Sequence, residues 1–475
     1  MTKVLRTMNY VRKASVNVDI ILNAWHLDLY DINYAVASEE INCLATYAKQ
    51  LKRRAILLGI CSFLGDIVRS FYKLFFVSLR KRPTPGRVIF YAISSNHYES
   101  LLPIKRQVKD STFWGCCDEC DDTFWMCWAQ IISLLYLPRL LWLYFKSTGY
   151  RKETFRYYFK DYLRIYGGYV VFSYLLRHCR PKLVVLANDH SALPRTLLKA
   201  ASDVRVESVY IQHASVTEKW PPLAFNYALL EGCDALMKYE NIGKSKTVVF
   251  LIGIAKTDFD VNLFNRQRTV KTLGIALSPD DNYEKVEEVV RGLKSRLPAL
   301  SIVLRPHPAD AIRYPVWDSL SRNYQCALSS AYQETASEFL NKLDSLLAGD
   351  SSIHLEAVLH NVYPLYYRFS NTFDDWYGFL KRGLVQSCNS LDELVTCYWR
   401  LLEHKPDIRN RAQYYCGTIG TAYDGRSSEV AARLINSWAR NDQSLQSEFE
   451  RIPDMNLEAY ALRMLDTTTT KHDSL

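Results

Sequence analysis

The stretch LLAGDSSIHLEAVLHNVYPLYY, residues 346–367, reads as a buried strand, a small polar turn, a helix, and a second apolar run entered through Pro364. A strand that ends in Gly349-Asp350-Ser351-Ser352 and opens straight into a helix gathers backbone N–H groups and two hydroxyls at one point. That is the local chemistry of a phosphate site.

The same rhythm runs on both sides of this turn. Thr272–Leu277 is a strand closed by Ser278-Pro279-Asp280-Asp281, and Tyr283–Arg296 is an amphipathic helix. Ser301–Leu304 is another strand, leaving through Arg305-Pro306-His307-Pro308. With a proline beside each, Arg305 and His307 are held at the sheet edge, where a guanidinium beside an imidazole suits a diphosphate; a loop brace is the other use of the pair. A helix follows over Leu391–Glu403, and Tyr423-Asp424-Gly425-Arg426-Ser427-Ser428-Glu429 leads into a last helix through Trp438, with Asp424 or Ser427 as its cap. Beyond Asn441 the chain turns polar and is expected to be mobile.

Upstream, Val88–Ile93 is a first buried strand running into Ser94-Ser95-Asn96-His97. In an open α/β sheet this loop lies at the carboxyl edge where ligands bind, so Asn96 and His97 are candidates to meet an acceptor, with a purely structural His97 as the alternative. Leu183–Ala187 exits through Asn188-Asp189-His190-Ser191, and Val206–Ile211 through Gln212-His213-Ala214-Ser215. Successive strands thus deliver Asp189, His190 and His213 to one edge, and an imidazole there can accept a hydroxyl proton at neutral pH. Ala228–Leu230 and Cys233–Met237 continue the sheet pattern, and Thr247–Ile252 is a further strand.

At 475 residues the chain exceeds one core, and 48% hydrophobic with 23% charged residues is the composition of a folded protein. The first 110 residues carry 17 Lys and Arg against 8 Asp and Glu, which accounts for the whole net charge of +9. These cations lie beside aromatic runs, so a membrane surface fits better than nucleic acid; a solvated basic face is the plain alternative. The run 55–79 is apolar but broken by Asp66, Arg69 and Lys73, and is followed by Arg80-Lys81-Arg82. An interfacial helix or a helix buried in the protein fits it better than a membrane span. The run 123–145, rich in tryptophan and interrupted by Pro138 and Arg139, reads as a surface-lying helical insertion or an internal helix pair. Twelve irregularly spaced cysteines argue for reduced thiols in a cytosolic setting, and Cys116, Cys117, Cys120 and Cys127 do not repeat a paired zinc pattern. The N-terminus lacks the apolar core of a signal peptide.

These readings predict an α/β protein: a helical basic region over 1–85, an acceptor domain over 86–265 with an aromatic helical insertion at 113–151, a donor domain over 266–440, and a polar tail over 441–475. The two domains are Rossmann-like and are expected to face a cleft.

The chain also resembles a known family. Gln212-His213, Arg305-Pro306-His307-Pro308, Gly349-Asp350-Ser351-Ser352 with Glu356-Ala357, and Asp424-Gly425 resemble motifs of the GT-B glycosyltransferases of bacterial surface-polysaccharide (capsule and lipopolysaccharide) biosynthesis, relatives of capsule polymerases and teichoic-acid glycerophosphotransferases. The resemblance covers roughly 87–440, and it is the order of the motifs that gives it specificity. It implies a nucleotide-sugar donor, as substrate rather than cofactor, bound mainly by the C-terminal domain, and no obligatory metal. It implies His213 as general base, Arg305 and His307 on the donor phosphates, Ser351 and Ser352 hydrogen-bonded to them, Glu356 reaching the ribose, and Ser278 at the floor of the donor site. Ala214 departs from the family's usual glycine after that histidine. The implied acceptor is lipid-linked or polymeric saccharide at the cytoplasmic membrane face. A CDP-glycerol-type glycerophosphotransferase and a catalytically silent binding subunit remain alternatives, whereas an epimerase of the same fold would need an acidic cluster that the sequence does not display.

Overall fold

Short apolar runs dictate the sheets. Val88–Ala92, Leu183–Leu186 and Ser345–Ala348 are buried at every position, as parallel strands covered on both faces must be. The computed structural model describes residues 12–22, 56–76, 87–117, 120–121, 123–188, 191–216, 222–258, 264–370, 375, 377–442 and 444–465. The chain divides into two units, Met1–Lys256 with Arg426–Arg463, and Thr257–Gly425 with Met464–Leu475.

In the first unit the strands are β1 (Val88–Ala92), β2 (Ser111–Cys117), β3 (Cys120–Asp121), β4 (Leu183–Leu186), β5 (Glu207–Ile211), β6 (Tyr227–Leu230) and β7 (Val248–Leu251). In the second they are β8 (Thr272–Ala276), β9 (Ser301–Arg305), β10 (Ala327–Leu328), β11 (Ser345–Ala348), β12 (Tyr363–Tyr367) and β13 (Gln386–Cys388). The chain then returns to the first unit for β14 (Phe449–Arg451) and β15 (Glu458–Leu462).

The second sheet runs β10-β9-β8-β11-β12-β13, every pair parallel. Numbered within that unit, this is the order 3-2-1-4-5-6 of a Rossmann domain. The first sheet has the same kernel inside the longer order β14-β15-β7-β6-β5-β4-β1-β2-β3. Its strand order reverses between β1 and β4, and that of the second sheet between β8 and β11. Crevices of this kind, at the carboxyl ends of the strands, are where open α/β sheets bind ligands.

Helices cover the first sheet. The long helix Gly149–Cys179 packs on Ala192–Val204 and carries helices Thr123–Ser133 and Ile56–Phe76. Gly167 permits that crossing. A Cβ there would stand 1.6 Å from the Ala129 carbonyl oxygen, and the Gly167 N–H donates to Ser133 Oγ at 2.9 Å.

Several expectations are revised. The unit boundary falls at 256/257 rather than 265/266, and residues 426–463, divided in the sequence reading between donor domain and tail, belong to the first unit. The last helix, Ser427–Arg440, stacks Trp438 on Tyr227 with ring centroids 4.0 Å apart, and Arg87 donates to its Ala439 carbonyl. The polar tail contains a strand, because β15 adds to the sheet edge beside β7 in parallel. Residues 113–117 of the supposed helical insertion belong to β2, with Phe113 and Trp114 in the core. Cys233–Ile242 is a helix rather than a strand, with Asp234 in its first turn paired to Lys238 one turn on.

Candidate functional site

At the carboxyl edge of the first sheet, β1 ends at Ala92 and helix Ser95–Lys105 begins three residues after it. Ser94 caps that helix by accepting the His97 N–H, and Ser100 Oγ donates to the Asn96 carbonyl. This tight turn holds His97 buried at the strand end, while Asn96 is exposed. Across the end of β4, His213 follows β5, and the two imidazole rings meet edge to face with centroids 4.7 Å apart. The sequence proposed both histidines separately; their contact follows from β1 and β5 flanking one strand.

His213 is aimed by its neighbour. Gln212 is buried; its amide Nε2 donates to the Ala214 carbonyl at 3.0 Å and to the Glu231 carboxylate at 3.1 Å, and its Oε1 accepts the Glu231 N–H at 2.9 Å. These bonds fix the backbone on both sides of His213. Asn188, after β4, accepts the Ser191 N–H at 2.6 Å and closes the intervening turn. Asp189 and His190 lie in that turn, outside the described residues.

In the second unit three strand-end loops are tied together. Arg313, in the turn Pro308–Arg313 after β9, donates to the carbonyls of Ser278, Pro279 and Asp281 after β8, at 3.1, 2.6 and 2.8 Å. Its guanidinium also bonds Asp310, which in turn accepts from Trp317 Nε1 at 3.0 Å. The Asp281 carboxylate accepts the Ser278 N–H at 2.7 Å and lies against Gly349, so the loops after β8 and β11 meet at the switch point. On this edge Ser278, Ser351 and Glu356 are partly exposed, and His307 and Ser352 exposed. Ser351 and Ser352 sit in the turn that opens the short helix Ile353–Leu359, as the sequence predicts.

Arg305 does not join them. It is buried, its guanidinium donates to Ser329 Oγ at 2.7 Å and to the Glu334 carbonyl at 3.0 Å, and it lies over the Phe339 ring. This is the geometry of the brace, with two of the guanidinium's N–H groups bonded inside the protein. Asp424 likewise does not cap the last helix. Its carboxylate grips Arg409 with both oxygens, and Arg409 donates to the Leu359 carbonyl at 3.0 Å. Ser427 is buried, and the N-cap of that helix is Arg426, without a side-chain cap bond.

Two supporting residues escaped the sequence reading because what marks them is burial, which only the packed fold sets. His354 is fully buried behind the Gly349 turn, its Nε2 2.9 Å from the Gly349 carbonyl. Burial pushes its imidazole down to about 4, so the ring is neutral and carries its proton on the nitrogen facing that carbonyl. Asp281 is the other. Burial pushes its carboxyl up to about 7, against the opposing pull of the Ser278 N–H and Arg313. A carboxyl raised in the fold contributes stability that is complete below about pH 4 and is lost as pH rises through about 7. Asp281→Asn keeps the acceptor for Ser278 and should therefore flatten the fall of the second unit's melting temperature across that window, an effect bounded by about 4 kcal/mol. An unchanged pH slope would refute the burial of a titrating group there.

No family model and no curated protein matches the chain. Among solved structures it is similar to the UDP-GlcNAc 2-epimerase from Neisseria meningitidis bound to UDP-GlcNAc, with a TM-score of 0.50 and 13% identity over 75% of this chain and 100% of that one. The glycotransferase of kitacinnamycin matches with a TM-score of 0.46 and 13% identity, over the same shares of each chain. Identity this low shows the fold alone, and the fold is GT-B type, with two Rossmann-like units.

Proposed function

We propose that the protein is a glycosyltransferase that moves a sugar from a nucleotide-activated donor to a lipid-linked or polysaccharide hydroxyl, with His213 as general base. The observation that carries this reading is the meeting of His213 and His97 at the switch point of the first sheet, with the backbone around His213 fixed by Gln212. In the step, the His213 imidazole takes the acceptor hydroxyl proton as that oxygen bonds to the anomeric carbon. The bond from that carbon to the donor phosphate breaks, and the nucleotide leaves with the electron pair. His307, Ser351 and Ser352 offer an imidazole and two hydroxyls at the second unit's edge for the departing phosphate, and Glu356, one turn along, reaches toward the ribose. Ser278 sits across the switch point from that turn.

The test is a melting screen against CMP, CDP, UDP and GDP and their sugar conjugates, followed by product analysis with and without a saccharide acceptor. One nucleotide class at about a hundred times its dissociation constant should stabilise by about 2.7 kcal/mol, raising the second unit's melting temperature by roughly 5–11 °C, and sugar transfer should require the acceptor. Isomerisation of the donor sugar without acceptor would replace this reading with an epimerase; a response confined to CDP-glycerol would replace it with glycerophosphate transfer. No response to any donor would mark a silent domain.

A further inference from the structure

Helix Ile56–Phe76 is apolar on both faces: Phe63 is buried, and Ile56, Ile60 and Ile67 pack against the first unit's core. Its one acidic residue, Asp66, is turned inward, paired with Lys160 at 2.7 Å and with Arg164, and Phe63 is fully buried beside it. Its outward face is Leu57, Leu58, Leu64, Val68, Phe71 and Tyr72, with Leu57 74% and Val68 69% exposed. These positions recur at the three- and four-residue spacing of one helical stripe. Single exposed apolar side chains are ordinary on a soluble protein, but a stripe over about four turns marks a surface that something covers.

The neighbouring layer repeats the arrangement. Helix Thr123–Ser133 packs against Ile56–Phe76, and the chain continues through a turn at Leu134–Tyr136 into helix Leu137–Lys146. Trp128, Leu135, Trp142 and Phe145 are exposed there, Phe145 at 72%. Arg139 and Lys146 both lie over the Trp142 ring, at 4.2 and 4.3 Å, a side chain placed for a boundary between apolar and charged surroundings. Cys127–Lys146 is long and apolar enough to cross a membrane. Here, however, Tyr136 and Leu140 are buried in the first unit's core and Arg139 pairs with Asp19, so the segment lies along the protein.

We propose that these outward faces dock the protein on an anionic lipid surface. The charges select the occupant. Residues 123–146 contain no Asp or Glu, Arg69 is 73% exposed at 3.8 Å from Asp66, and helix Ile56–Phe76 is bracketed in sequence by Lys52-Arg53-Arg54 and Arg80-Lys81-Arg82. A second copy of the chain would set cation against cation across such a face, whereas anionic headgroups neutralise the cations while the acyl boundary takes the leucines and aromatics.

The inference is independent of the sugar chemistry and is tested on the full chain by co-sedimentation with vesicles. Phosphatidylcholine vesicles containing phosphatidylglycerol should retain the protein, phosphatidylcholine alone should retain much less, and raised salt should weaken retention. The double substitution Leu58→Glu/Val68→Glu should lower the partition coefficient by on the order of a hundredfold, about tenfold for each lost apolar anchor. Trp399→Glu, an equally solvent-facing residue of the second unit, should leave it unchanged, and both variants should keep the wild-type melting temperature and turnover of a soluble acceptor. Retention by anionic vesicles that survives the double substitution would overturn the assignment of this face. A wild-type dimer that the double substitution converts to monomer would assign it to a second copy instead. Absence of sugar transfer would leave the vesicle result standing, so the two readings fail separately.

Discussion

His213→Ala is expected to lower turnover by about a hundredfold to ten-thousandfold, the usual contribution of a positioned general base, while nucleotide-induced stabilisation stays at the wild-type value. The reason is the division of labour between elements. His213 follows β5 in the first unit, while the candidate phosphate groups follow β9 and β11 in the second. The substitution removes one end of the 4.7 Å ring contact with His97 and leaves the Gln212–Glu231 bonds in place, so the fold should hold. His97→Gln should give a smaller loss of turnover, because the β1 turn keeps its Ser94 cap through the backbone. Normal turnover in His213→Ala, or loss of nucleotide binding, would overturn the base assignment.

The second large effect concerns Arg305. Arg305→Ala should destabilise the second unit by about 3–5 kcal/mol, the cost of removing one member of a buried charged network and leaving its partners unsatisfied. Ser329 Oγ and the Glu334 carbonyl both lose a donor, and the Phe339 ring loses the guanidinium that covers it. Arg305→Lys should recover only part of the loss, since an ammonium cannot span both acceptors with the planar fork of arginine. Denaturant unfolding separates the two roles considered for this residue. An unchanged unfolding midpoint together with abolished nucleotide binding would return Arg305 to the phosphates.

These expectations show where sequence was a sufficient guide. The strands, their polar exits and the Gly349-Asp350-Ser351-Ser352 turn were legible because apolar runs, prolines and small residues act within a few positions of themselves. The exits at Asn96-His97, Ser278 and His213 lie at strand ends as read, since strand direction in a parallel sheet puts each of them at the carboxyl edge of its own sheet. Arg305 was left with two uses because residue type and strand-end position suit a phosphate ligand and a brace equally well. Only the placement of Ser329 and Glu334, more than twenty residues away, decides between them.

By itself, then, the sequence determined two α/β repeats, the residues at their carboxyl edges, and a basic, aromatic N-terminal region. Tertiary structure alone decided that residues 426–463 complete the first unit, that His97 meets His213, and that Ile56–Phe76 hides its acid and shows its leucines. The physical reason is range. Period and propensity are set by neighbours along the chain, whereas β15 finding the edge of β7, Trp438 finding Tyr227, and one face of a helix finding a core are set by partners far along the chain, about two hundred residues away in the first two cases.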